Sequence, residues 1–84
     1  MIEILYFARI REAIGRSAET VSPPDAVVTI ADLIDWLAAR GGGYAEAFAD
    51  RAMIRAAIGD DFTDPDTPIA HGCEIALFPP VTGG

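Results

Sequence analysis

The sequence has no lysine, one cysteine and one histidine. Without lysine, none of its side chains can accept an isopeptide link. One cysteine cannot close an internal disulfide, so a reducing compartment is expected and the cytoplasm fits best. The lone His71 has no second ligand at metal spacing, which argues against a metal centre. No apolar run approaches the roughly 20 residues that span a bilayer. The opening Met1-Ile2-Glu3-Ile4 lacks the basic start of a signal peptide. Internal repeats and low-complexity segments are also missing. Positive charge is scarce: thirteen acids face six bases, all arginine, for a formal net charge of −7. Nucleic acid binding needs a cationic footprint, so neither a nucleic acid nor a membrane is expected as partner.

What is present describes one small folded domain. An apolar fraction of 51% in 84 residues favours a globule over disorder. Residues 2–8 read as a strand, with Ile2, Ile4 and Tyr6 on one face and Glu3, Leu5 and Phe7 on the other. The second face is mostly apolar too, as in a central strand or one whose outer face meets a partner. Residues 9–14 read as a short helical stretch ended by Gly15, and residues 17–21 as a second strand. Thr29 caps the main helix, with Asp32 as a variant capping box. Ile30, Leu33, Ile34 and Leu37 then form one buried stripe, with Trp36 at its margin. Gly41-Gly42-Gly43 ends that helix, and 44–50 reads as a short second one with Tyr44, Ala47 and Phe48 inward. Residues 53–58 form a third strand, Gly59-Asp60 a turn into a brief strand at Phe62, and His71-Gly72 a tight turn. Residues 74–78 form the last strand, with Ile75 and Leu77 on one face and Ala76 and Phe78 on the other. The result is an α+β sheet with one principal helix.

Several groups invite chemistry and do not support it. The glycine run follows a helix rather than a strand, which is the wrong context for a phosphate loop. Cys73 has no CxxC or His partner and reads as structural. Asp60, Asp61, Asp64 and Asp66 lack calcium-loop spacing. Glu3, Glu12 and Asp35 form no recognisable acid–base pair.

The end of the chain differs in kind. Phe78-Pro79-Pro80-Val81-Thr82-Gly83-Gly84 follows an apolar strand, is stiffened by two prolines and then thins to two glycines. Proline removes the ladder donor, so sheet pairing should stop by Pro79. The residue before a proline is pushed to extended conformations, so the tail should project. Glycines without Cβ pass where no other residue fits. We therefore expect a domain over 1–78 and a flexible, extended tail over 79–84, whose working group is the terminal carboxylate. Six extended residues reach about 20 Å, enough to enter a buried site on a partner.

Those residues, in the run Gly72-Cys73-Glu74-Ile75-Ala76-Leu77-Phe78-Pro79-Pro80-Val81-Thr82-Gly83-Gly84, resemble the end of the small subunits of molybdopterin synthases, a family of ubiquitin-like sulfur carriers. The run from Leu5 to Gly15 and the segment Ala56-Ala57-Ile58 are similar in register. Gly59 and Cys73 depart from the residues usual in that family, both in turns. The resemblance implies a β-grasp fold with the first and last strands parallel. Combined with the strand parities, it puts Leu5, Phe7, Ala76 and Phe78 on one outer face, with Phe62 at its margin. Such a patch is expected to dock a partner; Arg11 would be a rim contact, and Pro79, Pro80, Val81 and Thr82 would follow the partner's surface.

The resemblance further implies that an E1-like enzyme uses ATP to adenylate Gly84, which becomes a thiocarboxylate, with Gly83 threading the site beside it. The large synthase subunit would then receive the tail and pass its sulfur to cyclic pyranopterin monophosphate, building the dithiolene of the molybdenum cofactor. The chain would bind no cofactor and would not be catalytic alone; it would donate sulfur within a heterotetrameric sulfurtransferase. A carrier for thiamine or tRNA thiolation, a ubiquitin-like protein modifier and an interaction module with an inert tail are the alternatives.

Overall fold

The computed structural model describes residues 1–70 and 72–80. Alternation in the sequence becomes a five-stranded sheet of order β2-β1-β5-β3-β4. Its strands are β1 (Ile2–Tyr6), β2 (Ala18–Val21), β3 (Arg55–Ile58), β4 (Asp61–Phe62) and β5 (Glu74–Phe78). The central pair β1–β5 is parallel, and the other pairs are antiparallel. With one principal helix crossing between the two halves of the sheet, this is the expected β-grasp arrangement.

The inner face of the sheet is the core face. Ile2, Ile4 and Tyr6 of β1 and Ile75 and Leu77 of β5 are almost completely buried. They meet α2 (Ile30–Ala38), whose Ile30, Leu33, Ile34 and Leu37 form the stripe that the i, i+3, i+4, i+7 spacing predicts. Its start is fixed by a reciprocal cap. The Asp32 amide donates to Thr29 Oγ1, and the Thr29 amide donates to Asp32 Oδ2, each at 3.2 Å.

Three boundaries differ from expectation. β1 stops at Tyr6 because Ala8 adopts φ 51° and turns the chain into α1 (Ala8–Ile14), which Gly15 ends in the left-handed conformation. β3 starts at Arg55 because residues Arg51–Met53 form a 3₁₀ turn, capped by a hydrogen bond that the Ala52 amide donates to Asp50 Oδ1. The glycine run comes after α2 has ended at Ala38 with Ala39 as its cap, and Gly42 and Gly43 are the first residues of α3 (Gly42–Ala47). The reason is packing. A Cβ at Gly43 would collide with the backbone carbonyl oxygen of Ala13 in α1, so glycine lets the two helices touch.

A polar cluster ties these layers at one edge. Glu19 of β2 has a side chain only 9% exposed. Its Oε1 accepts from Tyr6 Oη at 2.6 Å and Tyr44 Oη at 2.7 Å, and Arg40 donates to both carboxylate oxygens. The Arg40 guanidinium also lies over the rings of Trp36 and Tyr44. Burial opposes charge on Glu19, but the bonds from the two tyrosines and Arg40 outweigh it and hold the carboxyl below its ordinary range. Tyr6 is shifted the other way, by burial first and then by its bond to Glu19. This cluster accounts for Trp36 at the helix margin. Among the described residues, no helix is long and apolar enough to cross a membrane.

Candidate functional site

Strand parity sends every second side chain to the outer face, which α2 does not cover. The registers Leu5↔Ala18, Leu5↔Ala76, Ala57↔Ala76 and Ala57↔Phe62 align one residue from each strand. The resulting row, Ala18–Leu5–Ala76–Ala57–Phe62, is apolar across all five strands. Ala57 is buried yet lies outside the core cluster, as expected for a small side chain beside Phe62 on the outer face.

Two residues further along the strands lies a second row. The Phe7 amide donates to Leu77 O at 3.1 Å, which keeps Phe7 beside Phe78 after β1 has ended. Arg55 is paired with Phe78 on the other side. The rings of Phe78 and Phe62 are 5.9 Å apart and tilted by 57°, joining the rows. Phe62 is 83% exposed and Phe7 44%, large values for aromatic side chains on a domain this small. Phe62 therefore occupies the end of the apolar row, at the margin of the patch, with its ring on Phe78.

The structure thus brings Leu5, Phe7, Phe62, Ala76 and Phe78 onto one face. Arg11 is exposed one helical turn beyond Phe7, whose carbonyl accepts its amide at 3.3 Å. Pro79 and Pro80 are half-buried, and Pro80 lines a hollow of about 410 Å³ with Arg55, Phe62, Thr63 and Phe78. The root of the tail is therefore seated where the two aromatic rings meet. Val81, Thr82, Gly83 and Gly84 lie outside the described residues, as does His71. A hollow of similar size, about 440 Å³, opens between α2 and β3 and shares Arg55, Ala56 and Thr63 with the first. Its Arg51 is held by Asp35 at 2.8 Å.

Ala18, Ala57 and Arg55 complete this face without having been singled out in the sequence. Alanine carries no local signal, and only the register shows that these residues stand opposite Leu5, Ala76 and Phe78. Cys73 is half-buried before β5 and packs against the core, while its carbonyl accepts from Glu3 N–H at 3.2 Å. Among the described residues, no group of three or more His, Cys, Asp and Glu side chains converges on a point.

Comparison with known proteins places this geometry. Residues 4–84 match the ThiS family. The chain belongs to the ThiS family. Its relatives include the molybdopterin synthase sulfur carrier subunit of Escherichia coli, 37% identical over the full length of both chains. The protein of that name from Haemophilus influenzae is 33% identical, again over both full lengths. Among solved structures, a putative molybdopterin converting factor subunit 1 from Pyrococcus furiosus superposes with a TM-score of 0.77 at 25% identity, covering 95% of this chain and 97% of that one. Small archaeal modifier protein 1 of Haloferax volcanii gives 0.73 at 27% identity, with the same coverage. A chain in the complex of subunits 1 and 2 of the Helicobacter pylori molybdopterin-converting factor shares the fold, with a TM-score of 0.65 at 24% identity over 99% of this chain and 97% of that one. This ThiS-family chain therefore has the fold of ubiquitin-like sulfur carriers and relatives named for molybdopterin synthase.

Proposed function

We propose that this protein is the sulfur-carrier subunit of a molybdopterin synthase and works in the cytoplasm. The observation that carries the proposal is the outer apolar face, with its two exposed phenylalanines, ending at the root of a Pro-Pro-Val-Thr-Gly-Gly tail. Contiguous exposed apolar surface on a small domain marks an interface. Here the interface aims the chain end. Residues 1–78 act as the domain and 79–84 as the arm.

The chemistry follows from the limits of a carboxylate, a poor electrophile with a poor leaving group. An E1-like enzyme uses ATP to couple Gly84 to AMP, releasing pyrophosphate. The terminal sulfur of a persulfide attacks the activated carbonyl and AMP leaves. A thiol then cleaves the resulting S–S bond, is itself oxidised to a disulfide, and frees the thiocarboxylate. Ionised, soft and nucleophilic, that sulfur is delivered by the arm into the large subunit. There it bonds to a carbon of the cyclic pyranopterin precursor as a C–O bond of the precursor breaks and the oxygen leaves. Water hydrolyses the resulting thioester to release Gly84 as a carboxylate. Two deliveries make one dithiolene. Leu5, Phe7, Phe62, Ala76 and Phe78 would bury against the large subunit with Arg11 at the rim, while Pro79 to Thr82 would line its entrance. Catalytic groups would come from the partners.

The decisive measurement is the intact mass after incubation with an activating enzyme, ATP and a sulfur source. Replacement of one oxygen by sulfur at Gly84 is expected, and an unchanged mass overturns the carrier reading. A second reading has its own support, since the Haloferax neighbour is named a modifier protein. In that reading the activated Gly84 joins lysines of target proteins. Gly-Gly remnants on other proteins, with no conversion of the pterin precursor by the complex with the large subunit, would favour it.

A further inference from the structure

The apolar row on the outer face separates two ends of opposite charge. At one end Glu3 and Glu74 stand directly opposite each other on adjacent parallel strands. Like charges in that position repel and weaken the pair. The Glu74 carboxyl is raised above its ordinary value, first by its hydrogen bond with Glu3 and then by desolvation and the charge of Glu3. The turn carrying Asp60 sits beside them, since the Gly59 amide donates to Glu74 O at 3.1 Å. At the other end, about 13 Å away along the strands, Arg55 flanks Phe78. Arg11 lies beyond Phe7 on the same side. Among the described residues, the Arg55 guanidinium donates to the carbonyls of Ala52 and Ile54. Ion pairs among the described residues join Arg16 and Arg40 to Glu19, and Arg51 to Asp35. Neither end of the outer face takes part in them.

A repulsive carboxylate pair at the centre of a sheet brings the isolated domain no benefit. A partner can use it. An apolar stripe alone lets two surfaces slide or rotate over each other, whereas opposite charges at its two ends permit one orientation and reject the reverse. We infer that the outer face is a bipolar docking surface, whose partner sets a guanidinium or ammonium group over Glu3 and Glu74 and a carboxylate beside Arg55, fixing the rotation at which the tail leaves. The inference rests on the sulfur-carrier reading, because the partner is the large synthase subunit. It adds that charge, not only apolar contact, selects the docked orientation. The acidic net charge agrees, since an overall attraction to a basic partner speeds encounter.

The test is titration calorimetry with the large subunit at low and high salt, alongside melting of the free chain. Neutralising the acidic end with Glu3→Gln plus Glu74→Gln removes the repulsion, so the free chain should melt higher. Its affinity should nevertheless fall about tenfold at low salt, with the loss shrinking at high salt. Arg55→Glu should weaken binding by a similar factor while circular dichroism stays unchanged. A purely structural role would move stability and affinity together, so the opposed response identifies docking. If the double variant binds as tightly as the unaltered chain, the bipolar surface is wrong and the carrier reading stands. If the unaltered chain does not bind the large subunit at all, both fall.

Discussion

The two faces of one sheet follow opposite rules. On the inner face, Ile4, Ile75 and Leu77 have no measurable exposure, and α2 closes over them. On the outer face, one residue along the same strands, Leu5 and Ala76 are half-buried, and Phe62 at the end of their row is 83% exposed. Folding explains the first arrangement completely, since burying apolar area drives it. It does not explain the second. A face that keeps its aromatics in water without a covering helix is organised around something outside the domain.

The largest expected effect separates the faces directly. Leu77→Ala removes a fully buried side chain and should cost about 3 kcal/mol of stability, measured by urea denaturation. Phe62→Ala removes a bulkier side chain from the outer face yet should cost under about 1 kcal/mol, because little of it is buried. The order should invert for binding, with Phe62→Ala weakening the large subunit's affinity by about tenfold or more. Equal stability losses from the two substitutions would mean that the outer face is part of the fold after all.

A second test presses on the layer behind the inner face. Gly43→Ala drives a methyl group into the carbonyl of Ala13, where backbone rather than a flexible side chain must yield. Overpacking of this kind should cost about 2 kcal/mol. The outer face lies on the far side of the sheet, so binding by the folded fraction should not change. A melting temperature equal to that of the unaltered chain would show that α1 and α3 can part without loss.

Much of this was legible in the sequence, and the gaps have physical causes. Period-2 alternation in residues 2–8 and 74–78 and the helical stripe from Ile30 to Leu37 identified the core face, because burial imposes those periods. Thr29 with Asp32 marked the start of the helix. The boundaries that moved are set by contacts distant in sequence or by rare backbone states. Position 43 must be glycine because of Ala13, and Ala8 ends β1 through a conformation that alanine rarely adopts. The outer row was half-visible: Leu5, Phe7, Ala76 and Phe78 follow from parity together with the parallel first and last strands that the resemblance implies, whereas Ala18, Ala57 and Arg55 depend on the register of neighbouring strands. Glu3 and Glu74 are 71 positions apart in the numbering and become a pair only when β1 and β5 lie in parallel.

Acid provides the third test. Glu19 is depressed below its ordinary value of 4.5, so its contribution to stability is complete above that value and is lost as pH falls through the lower folded value. Glu74 is raised, so the repulsion it suffers is complete at neutral pH and is relieved as pH falls toward its ordinary value. The inner-layer carboxylate therefore destabilises the fold in acid while the outer pair recovers some stability. Glu19→Gln should cost about 1.5 kcal/mol at pH 7, since the amide keeps one acceptor for the tyrosines but loses the charge that Arg40 pairs with. Below pH 4 the difference from the unaltered chain should narrow. A constant difference across that range would mean that the Glu19 charge is not what holds the edge.

The smallest expected effect concerns the corner where the chain leaves the sheet. Ala8 holds φ 51°, a left-handed state that costs a residue with a Cβ about 1–2 kcal/mol. Glycine would relieve that strain but would lose more chain entropy on folding, so Ala8→Gly should stabilise by only about 0.5 kcal/mol. The reason to keep alanine lies on the outer face. Phe7 immediately precedes the corner, is bonded to β5 through its amide and is 44% exposed. A more flexible residue at position 8 would let that ring wander and raise the cost of ordering it against a partner. Ala8→Gly should therefore raise the melting temperature slightly while weakening binding to the large subunit two- to threefold, about 0.5 kcal/mol. A variant that both melts higher and binds as tightly would show that the corner serves the fold alone and that the strain has no part in aiming Phe7.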